Sequence, residues 1–340
     1  MPFLPFLHRL MNRESLPSAD ARQAMRAILD GEASTAQIAA FAAALRVKGE
    51  TADEILGMAQ AMRESAVAID HGITDRPVLD TCGTGGDNLG TLNVSTVAAI
   101  VIAACGVPVA KHGNRSASSQ CGSADLLEAL GVKLLSDPAL IARSIREVGF
   151  GFLFAPALHP AMKHAAAARA ELKTRTAFNL LGPLTNPAGA TAQLVGAPSL
   201  QAAELMAVTL SSLGLPRGYV VHGHDGLDEI STTAPTHLFA VLSGAIDHRE
   251  ITPEDFGVPR TTLADLRGGD VATNRDLARA VLDGAAGPHR DIVLVNAAAG
   301  LTLAGAAPGF LQAMALAAGA IDSGAARGKL AELVEFTRRA

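Results

Sequence analysis

The stretch "DTCGTGGDNLGTLNVST", residues 80–96, decides how the rest of the chain is read. A short apolar strand candidate, "PVLDTC", runs into glycines at 83, 85, 86 and 90 and then into the helix candidate "VSTVAAIVIAACG". Strand, glycine loop and helix start, in that order, make a ready anion site. Backbone N–H groups point out of the loop, and the helix dipole favours negative charge. Glycines 83, 85 and 86 let a phosphate approach with no Cβ in the way. Asn93, Ser95 and Thr96 add side-chain donors at the helix start. The same residues also suit an ordinary tight turn with an N-cap, and composition does not separate the two readings. The chain lacks the Lys-Ser/Thr ending of a P-loop and the GxGxxG spacing of a dinucleotide loop.

Working outward, the same rhythm recurs. "VPVAKHG" is a second strand, followed by the polar loop "KHGNRSASSQCGSAD", residues 111–125, and the helix "SADLLEALG". Lys111, His112 and Arg115 put positive charge among the serines of that loop. Then come the strand "GFGFLFAP", the helix "PAMKHAAAARAEL", the strand "TAQLVGAP", a helix from Gln201 to Leu213 and the strand "RGYVVHG". Alternating strands and helices argue for a mostly parallel sheet with helices outside. In such a sheet both loops open at the carboxyl ends of the strands, where α/β proteins bind ligands. From Ala234 to Ile251 the strands read as antiparallel. After Asn274 the chain is mostly helix, broken by Gly and Pro at 284–288 and 305–309. "NLLGPLTNPAG" reads as a Gly/Pro/Asn-rich connector and hinge.

The first seventy residues differ. "STAQIAAFAAALR" starts at Ser34 with Gln37 three positions on, and "TADEILGMAQAMR" starts at Thr51 with Glu54 at the same offset. Both fit the capping box. Phe41 with Leu45, and Ile55 with Ala59, mark apolar stripes. The expected division is a helical lobe over 1–70, joined by a middle segment near 165–190, and an α/β domain over 76–340.

The third strand-end motif is "HGHDGLDEIS", residues 222–231. Asp228 and Glu229 are adjacent carboxylates with Asp225 nearby. Beside a phosphate they would repel it unless a cation lay between, and Mg²⁺, an oxygen-seeking ion, suits that task. A solvated acidic turn is the plainer alternative. His222 and His224 lack a clustered third ligand in sequence, so zinc is set aside. Arg169 and Arg175 flank "RAELKTR", either solvated or offering a fork to a ligand carboxylate. Cys82 has no base in its motif and reads as a small buried residue.

Composition narrows the classes. The 340 residues suit two domains or one domain with a lobe. A net charge of −5 and a pI near 6.1 are not the footprint of a nucleic-acid binder. Three cysteines without metal spacing read as reduced thiols of a cytoplasmic protein. The longest apolar run, from Val97 to Ala110, is shorter than the ~20 residues of a membrane span, so no membrane partner is expected.

Taken together, "GTGGD" at 83–87, "NVST" at 93–96, "KHGNRS" at 111–116 and "GSADLLEALG" at 122–131 are shared with one known family, as are "HPAMKHA", "FNLLGPLTNPAG", "DGLDEIS" and "VNAAAGL". On these the chain resembles the anthranilate phosphoribosyltransferases, from about residue 8 to the C-terminus. The resemblance implies a small helical lobe on a larger α/β domain with a mostly parallel sheet, of the nucleoside phosphorylase and phosphoribosyltransferase type. It implies transfer of the phosphoribosyl group of PRPP (phosphoribosyl pyrophosphate) to the amine of anthranilate, with Mg²⁺, two ions per subunit. It implies a homodimer through the helical lobe and leaves room for an anthranilate synthase subunit as partner. For PRPP it implies Gly83, Gly86, Asp87, Thr91, Asn93, Val94, Ser95 and Thr96. The second loop adds Lys111, His112, Gly113, Asn114, Arg115, Ser116, Ala117, Ser118, Ser119 and Ser123. For anthranilate it implies Gly83, Asn114 and Arg169, and for metal Ser95, Asp228 and Glu229. No residue is implied as a nucleophile. Cys121 departs from a frequent serine, His224 from a frequent acid, and Met162 from an aromatic found in some relatives. Two alternatives stand beside this reading. A pyrimidine nucleoside phosphorylase would carry a "KHSTGG" type loop where this chain has "DTCGTGGD", and a non-enzymatic nucleic-acid-binding relative fits the acidic balance poorly.

Overall fold

The computed structural model describes residues 3–86, 89–116 and 120–340. Asp87, Ala117, Ser118 and Ser119 of the expected site lie outside the described residues.

Four helices come first: α1 (Leu4–Met11), α2 (Ser18–Leu29), α3 (Thr35–Lys48) and α4 (Ala52–Ser65). Both capping boxes form. The Ser34 N–H donates to Gln37 Oε1 at 2.9 Å, and the Gln37 N–H donates to Ser34 Oγ at 3.3 Å. At α4 the Thr51 N–H donates to Glu54 Oε2 at 2.9 Å. Glu54 is wholly buried, and its charge is met by Lys48 at 3.0 Å and by the Leu16 N–H at 2.9 Å. Phe41, Leu45, Ile55 and Ala59 are all buried, as their spacing requires.

The second part alternates. It runs β1 (Leu79–Gly83), α5 (Val94–Ala104), β2 (Val109–Gly113), α6 (Ser123–Ala129), α7 (Pro138–Glu147), β3 (Phe150–Phe154), α8 (Ala155–Leu158), α9 (Lys163–Leu172), α10 (Phe178–Leu184), β4 (Ala192–Gly196), α11 (Leu200–Ser212), β5 (Arg217–Gly223), β6 (Thr236–Leu242) and β7 (Ala245–Ile251). The helices α12 (Val271–Leu282), α13 (Pro288–Leu303), α14 (Phe310–Asp322) and α15 (Ala325–Arg339) close the chain. The strands form a seven-stranded sheet in the order β3-β2-β1-β4-β5-β6-β7. Pairing is parallel from β3 to β5 and antiparallel for β5–β6 and β6–β7. The chain winds outward from β1 to β3, then returns to lay β4 on the other side of β1. That reversal is a topological switch point, where the strand ends gape and ligands bind.

One main core buries α5, α13 and the sheet. A second joins α1–α4 to α10, α11 and the sheet's other face. Helix α9 packs on α2 and α3, and α10 packs on α4 and α11. The connector "NLLGPLTNPAG" differs from its reading as a hinge. Its first part is the helix α10, with Phe178, Leu181 and Leu184 buried on one face. Pro183 sits in the last turn, and the Thr185 hydroxyl donates to Leu181 O at 2.9 Å. Apolar spacing outweighed Gly/Pro content there. Helix α7, unread in sequence, is capped by Asp137 and starts at Pro138. No helix among the described residues is long and apolar enough to cross a membrane.

Candidate active site

Gly83 and Gly196 are register partners at the ends of β1 and β4, the two strands flanking the switch point. The turn after β5 lies against both. A Cβ on Gly83 would stand 2.7 Å from Asp228 Oδ2, and one on Gly196 only 1.5 Å from the Asp228 carbonyl oxygen. The glycines therefore make room for an acidic turn. Beyond Gly83 the loop bends through Gly85 and Gly86 at φ of 63° and 77°, a region that glycine enters without strain.

The acidic turn is rigidly held. Asp225 accepts from the Ser231 hydroxyl at 2.6 Å, from the Thr233 hydroxyl and from the Leu227 N–H. Asn296 on α13, buried, brackets Ile230 on both sides: it accepts from the Ile230 N–H and donates to Ile230 O, each at 3.0 Å. That is the work of the asparagine in "VNAAAGL". Asp228 and Glu229 then reach back across the sheet edge. Asp228 Oδ2 accepts from the Gly85 N–H at 2.8 Å, and Glu229 Oε1 accepts from the Ser95 N–H at 3.1 Å. Carboxylates thus already sit on the two amides that sequence reading offered to a phosphate. The donor set of two carboxylates and the Ser95 hydroxyl is all hard oxygen and fits Mg²⁺.

The helix-start residues divide. Ser95 lies at the site. Val94 and Thr96 are buried beneath it, and the Val94 N–H is spent on Leu92 O at 2.7 Å. Asn93 turns aside: its amide donates to Cys121 O at 2.9 Å and accepts from Asn274 at 3.2 Å. Of the expected side-chain donors at the start of α5, Asn93 and Thr96 therefore do not face the loop. Packing of α5 into the core took the one, and a bridge to α12 the other. Thr91 pairs with Arg267 through an isolated bridge.

Lys111 is 2% exposed and lies under α5, not in the loop. Its ammonium donates to Thr81 O and, at 3.3 Å, to Ser95 Oγ. Burial pulls its pKa down, against the opposing pull of Asp80. Asp80 is the carboxylate that ties the strand ends together. It accepts from the His112 N–H at 3.0 Å and from Asn186 at 2.8 Å. Gly113 abuts Ser123, whose hydroxyl donates to Asn114 O at 3.2 Å. Arg115 is exposed and forked onto Asp125 and Glu128 at 2.8 and 2.6 Å. The Ser116 N–H donates to Asp125 Oδ2 at 3.2 Å. Asn114 is exposed at the mouth, its Oδ1 accepting from the Arg115 N–H at 2.7 Å.

The two flanking arginines also divide. Arg169 is exposed on α9. Arg175 donates to Gly85 O and lies over Gly86, where a Cβ would meet its guanidinium. Arg175 is thus a residue of the glycine loop's wall that the expected site left out, as are Asp80, Asn186 and Asn274. Only Arg175 had been marked by its position in the sequence. Cys82 is buried, and burial with Asp80 beside it pushes its thiol well up, which leaves it inert.

His112 accounts for a sharp electrostatic feature. Its Nδ1 meets Gly182 O at 3.0 Å, and its ring lies 5.1 Å from that of His159. Burial pulls His112 down to about 3 and His159 to about 4, so both are neutral near pH 7. Their folded pKa values lie below the ordinary 6.5, so the unfolded chain binds the extra protons. Stability is therefore complete above pH 6.5 and falls as pH drops toward 4. We expect the pair to cost roughly 4 kcal/mol between pH 7 and pH 5. Denaturant unfolding of the wild type against His112→Gln/His159→Gln should show the variant losing less over that range. Parallel pH profiles would refute the assignment.

Similarity to known proteins agrees with this geometry. The chain matches the glycosyl transferase family helical bundle domain over residues 4–66 and the glycosyl transferase family a/b domain over 75–327. It is 61% identical to the anthranilate phosphoribosyltransferase of Solibacter usitatus, across 99% of both chains. The chain belongs to the anthranilate phosphoribosyltransferase family. The crystal structure of the Thermus thermophilus family member is similar at a TM-score of 0.92 and 46% identity, covering 98% of this chain and 99% of that one. The Saccharomyces cerevisiae enzyme in complex with PRPP and Mg superposes at a TM-score of 0.89 and 27% identity, covering 99% of this chain and 98% of that one. The anthranilate phosphoribosyltransferase fold is thus kept across a wide range of identity, with the helical bundle and the a/b domain both present in this chain.

Proposed function

We propose that this chain transfers the phosphoribosyl group of PRPP to the amine of anthranilate, releasing pyrophosphate, in the second step from chorismate toward tryptophan. The observation that carries the reading is the meeting of Asp228 and Glu229 with Gly85 and Ser95 at the switch point. It puts a cation-seeking pair beside a glycine loop and a helix start, the requirement of a bound pyrophosphate. PRPP lies across the first loop, with Gly83, Gly86, Asp87, Thr91 and Ser95, and the second, from Gly113 to Ser119 with Ser123. Val94, Thr96, Lys111 and His112 support that bed from beneath. When bound, Mg²⁺ would be held by Asp228, Glu229 and Ser95 and would offset the charge gathering on the leaving pyrophosphate.

The chain's own residues do the rest. Donors fixed before reaction favour the charge that develops as the C1–O bond breaks. The ribose gains oxocarbenium character, which calls for no protein nucleophile. The weak amine of anthranilate is held in line by Asn114, Gly83 and Arg169, so positioning rather than a strong base carries the step. In this reading the helical lobe, residues 1–70 with the segment near 165–190, packs on the α/β domain of 76–340. We infer a homodimer through that lobe, supported by exposed Leu4, Met11 and Val47 on α1 and α3. Three free cysteines support a cytoplasmic setting.

Purified protein with PRPP, Mg²⁺ and anthranilate should consume the anthranilate fluorescence. Thymidine with phosphate should give no base release, which separates the nucleoside phosphorylase alternative. Arg169→Ala should raise the KM for anthranilate by roughly 10- to 100-fold, the worth of a lost charged hydrogen bond, with kcat little changed. An unchanged KM removes the carboxylate fork.

A further inference from the structure

The antiparallel edge of the sheet carries a histidine cluster that this chemistry does not use. Strand register sets His237 beside His222 and opposite Glu250, and Phe239 opposite His248. His224 follows the end of β5. These side chains converge. His224 Nε2 lies 3.2 Å from Glu250 Oε1, and His237 Nδ1 lies 3.7 Å from the same oxygen. His248 Nε2 lies 3.2 Å from His237 Nδ1. The ligand atoms of His224, His237 and Glu250 all fall within 4.8 Å of one another.

Tetrahedral zinc holds nitrogen and oxygen ligands at about 2.0–2.2 Å, which separates neighbouring ligand atoms by about 3.4 Å. The two histidine–Glu250 separations, 3.2 and 3.7 Å, already lie near that edge length. We propose that His224, His237 and Glu250 form a three-ligand zinc site, its fourth position open to water, that ties the end of β5 to β6 and β7. Imidazole nitrogens select a borderline ion of this kind over Mg²⁺, whose all-oxygen partners are at Asp228 and Glu229. The Phe239 ring stacks on His248 at 4.2 Å and 6°, which holds that imidazole beside His237. The sequence concealed the site because His224 stands alone among its ligands after β5, while His237 and Glu250 arrive from the next two strands.

Metal-stripped protein should take up one equivalent of Co²⁺ with the strong visible absorption of a tetrahedral site, and Zn²⁺ should displace it. Zinc a hundred-fold above its dissociation constant should raise Tm by about 3 °C. His224→Ala and His237→Ala should each weaken zinc binding at least about tenfold and, at the same zinc concentration, remove about half or more of the Tm rise. His224 is exposed, so its variant tests binding without disturbing the core. The Asp228→Asn/Glu229→Gln protein should keep the equivalent, and excess Mg²⁺ should not compete. Zinc binding that survives both histidine substitutions, or that is lost with the acidic pair, overturns the proposal, as does a six-coordinate cobalt spectrum.

Discussion

Asp228→Asn combined with Glu229→Gln should lower Mg²⁺-supported kcat by about 100- to 1000-fold while changing stability by less than about 1 kcal/mol. The stability side follows from the contacts. Among the contacts of the described residues, Asp228 accepts the Gly85 N–H at 2.8 Å and Glu229 the Ser95 N–H at 3.1 Å, and an amide oxygen of the same shape accepts the same bonds. The turn itself is braced by Asp225 and Asn296, which the substitutions leave alone. The activity side follows from charge. Two carboxylates at a pyrophosphate bed attract a divalent ion and, without one, repel the substrate. The variant should therefore show two opposite changes. Its Mg²⁺ activation should disappear, and its affinity for PRPP in the absence of Mg²⁺ should rise above that of the wild type. A merely damaged protein would lose both. Calorimetry with PRPP, with and without Mg²⁺, beside steady-state rates, checks this. Full Mg²⁺-dependent activity in the double variant would mean that the metal assignment is wrong.

The parallel strands were legible because each is a short apolar run ended by a glycine or polar loop, the mark of strands buried on both faces. The three strand-end motifs then fell on one edge by topology alone. What escaped reading has a physical cause in each instance. Lys111 looks like loop chemistry in sequence, yet the strand pleat turns it inward, where it meets Thr81 of β1, and Asp80, given no role in sequence, meets Asn186 from beyond α10. Thr96 sits one residue past Ser95, and that single step of about 100° around α5 moves it from the mouth into the core. Arg175 and Arg169 are alike in composition and differ only in how α9 ends. Lys173, at a left-handed φ of 46°, turns the chain so that Arg175 reaches Gly85. Such choices depend on partners distant in sequence, which no local pattern carries.

Gly196→Ala tests whether the site depends on this close approach or only on its charges. The added Cβ would lie 1.5 Å from the Asp228 carbonyl oxygen and 2.6 Å from its carbon. Both are main-chain atoms, so no rotamer relieves the clash, and the turn must withdraw by about 2 Å to reach ordinary contact. Overpacking of that kind costs about 1–3 kcal/mol. Because Asp228 and Glu229 ride on the displaced turn, turnover should fall by at least about 100-fold, as expected for reacting groups moved by 1 Å or more. Gly83→Ala should be milder. Its Cβ meets the Asp228 carboxylate at 2.7 Å, and a side chain can swing away at the cost of its bond to the Gly85 N–H. Gly149→Ala separates backbone strain from displacement. Gly149 has a φ of 80° but open space around it, so alanine there should cost about 1 kcal/mol and leave kcat intact. The order of kcat loss, Gly196 above Gly83 above Gly149, is the result to expect from rates measured beside denaturant unfolding. If Gly196→Ala were as active as Gly149→Ala, the acidic turn would not need its seat on the β4 end, and the geometric account of the site would fail.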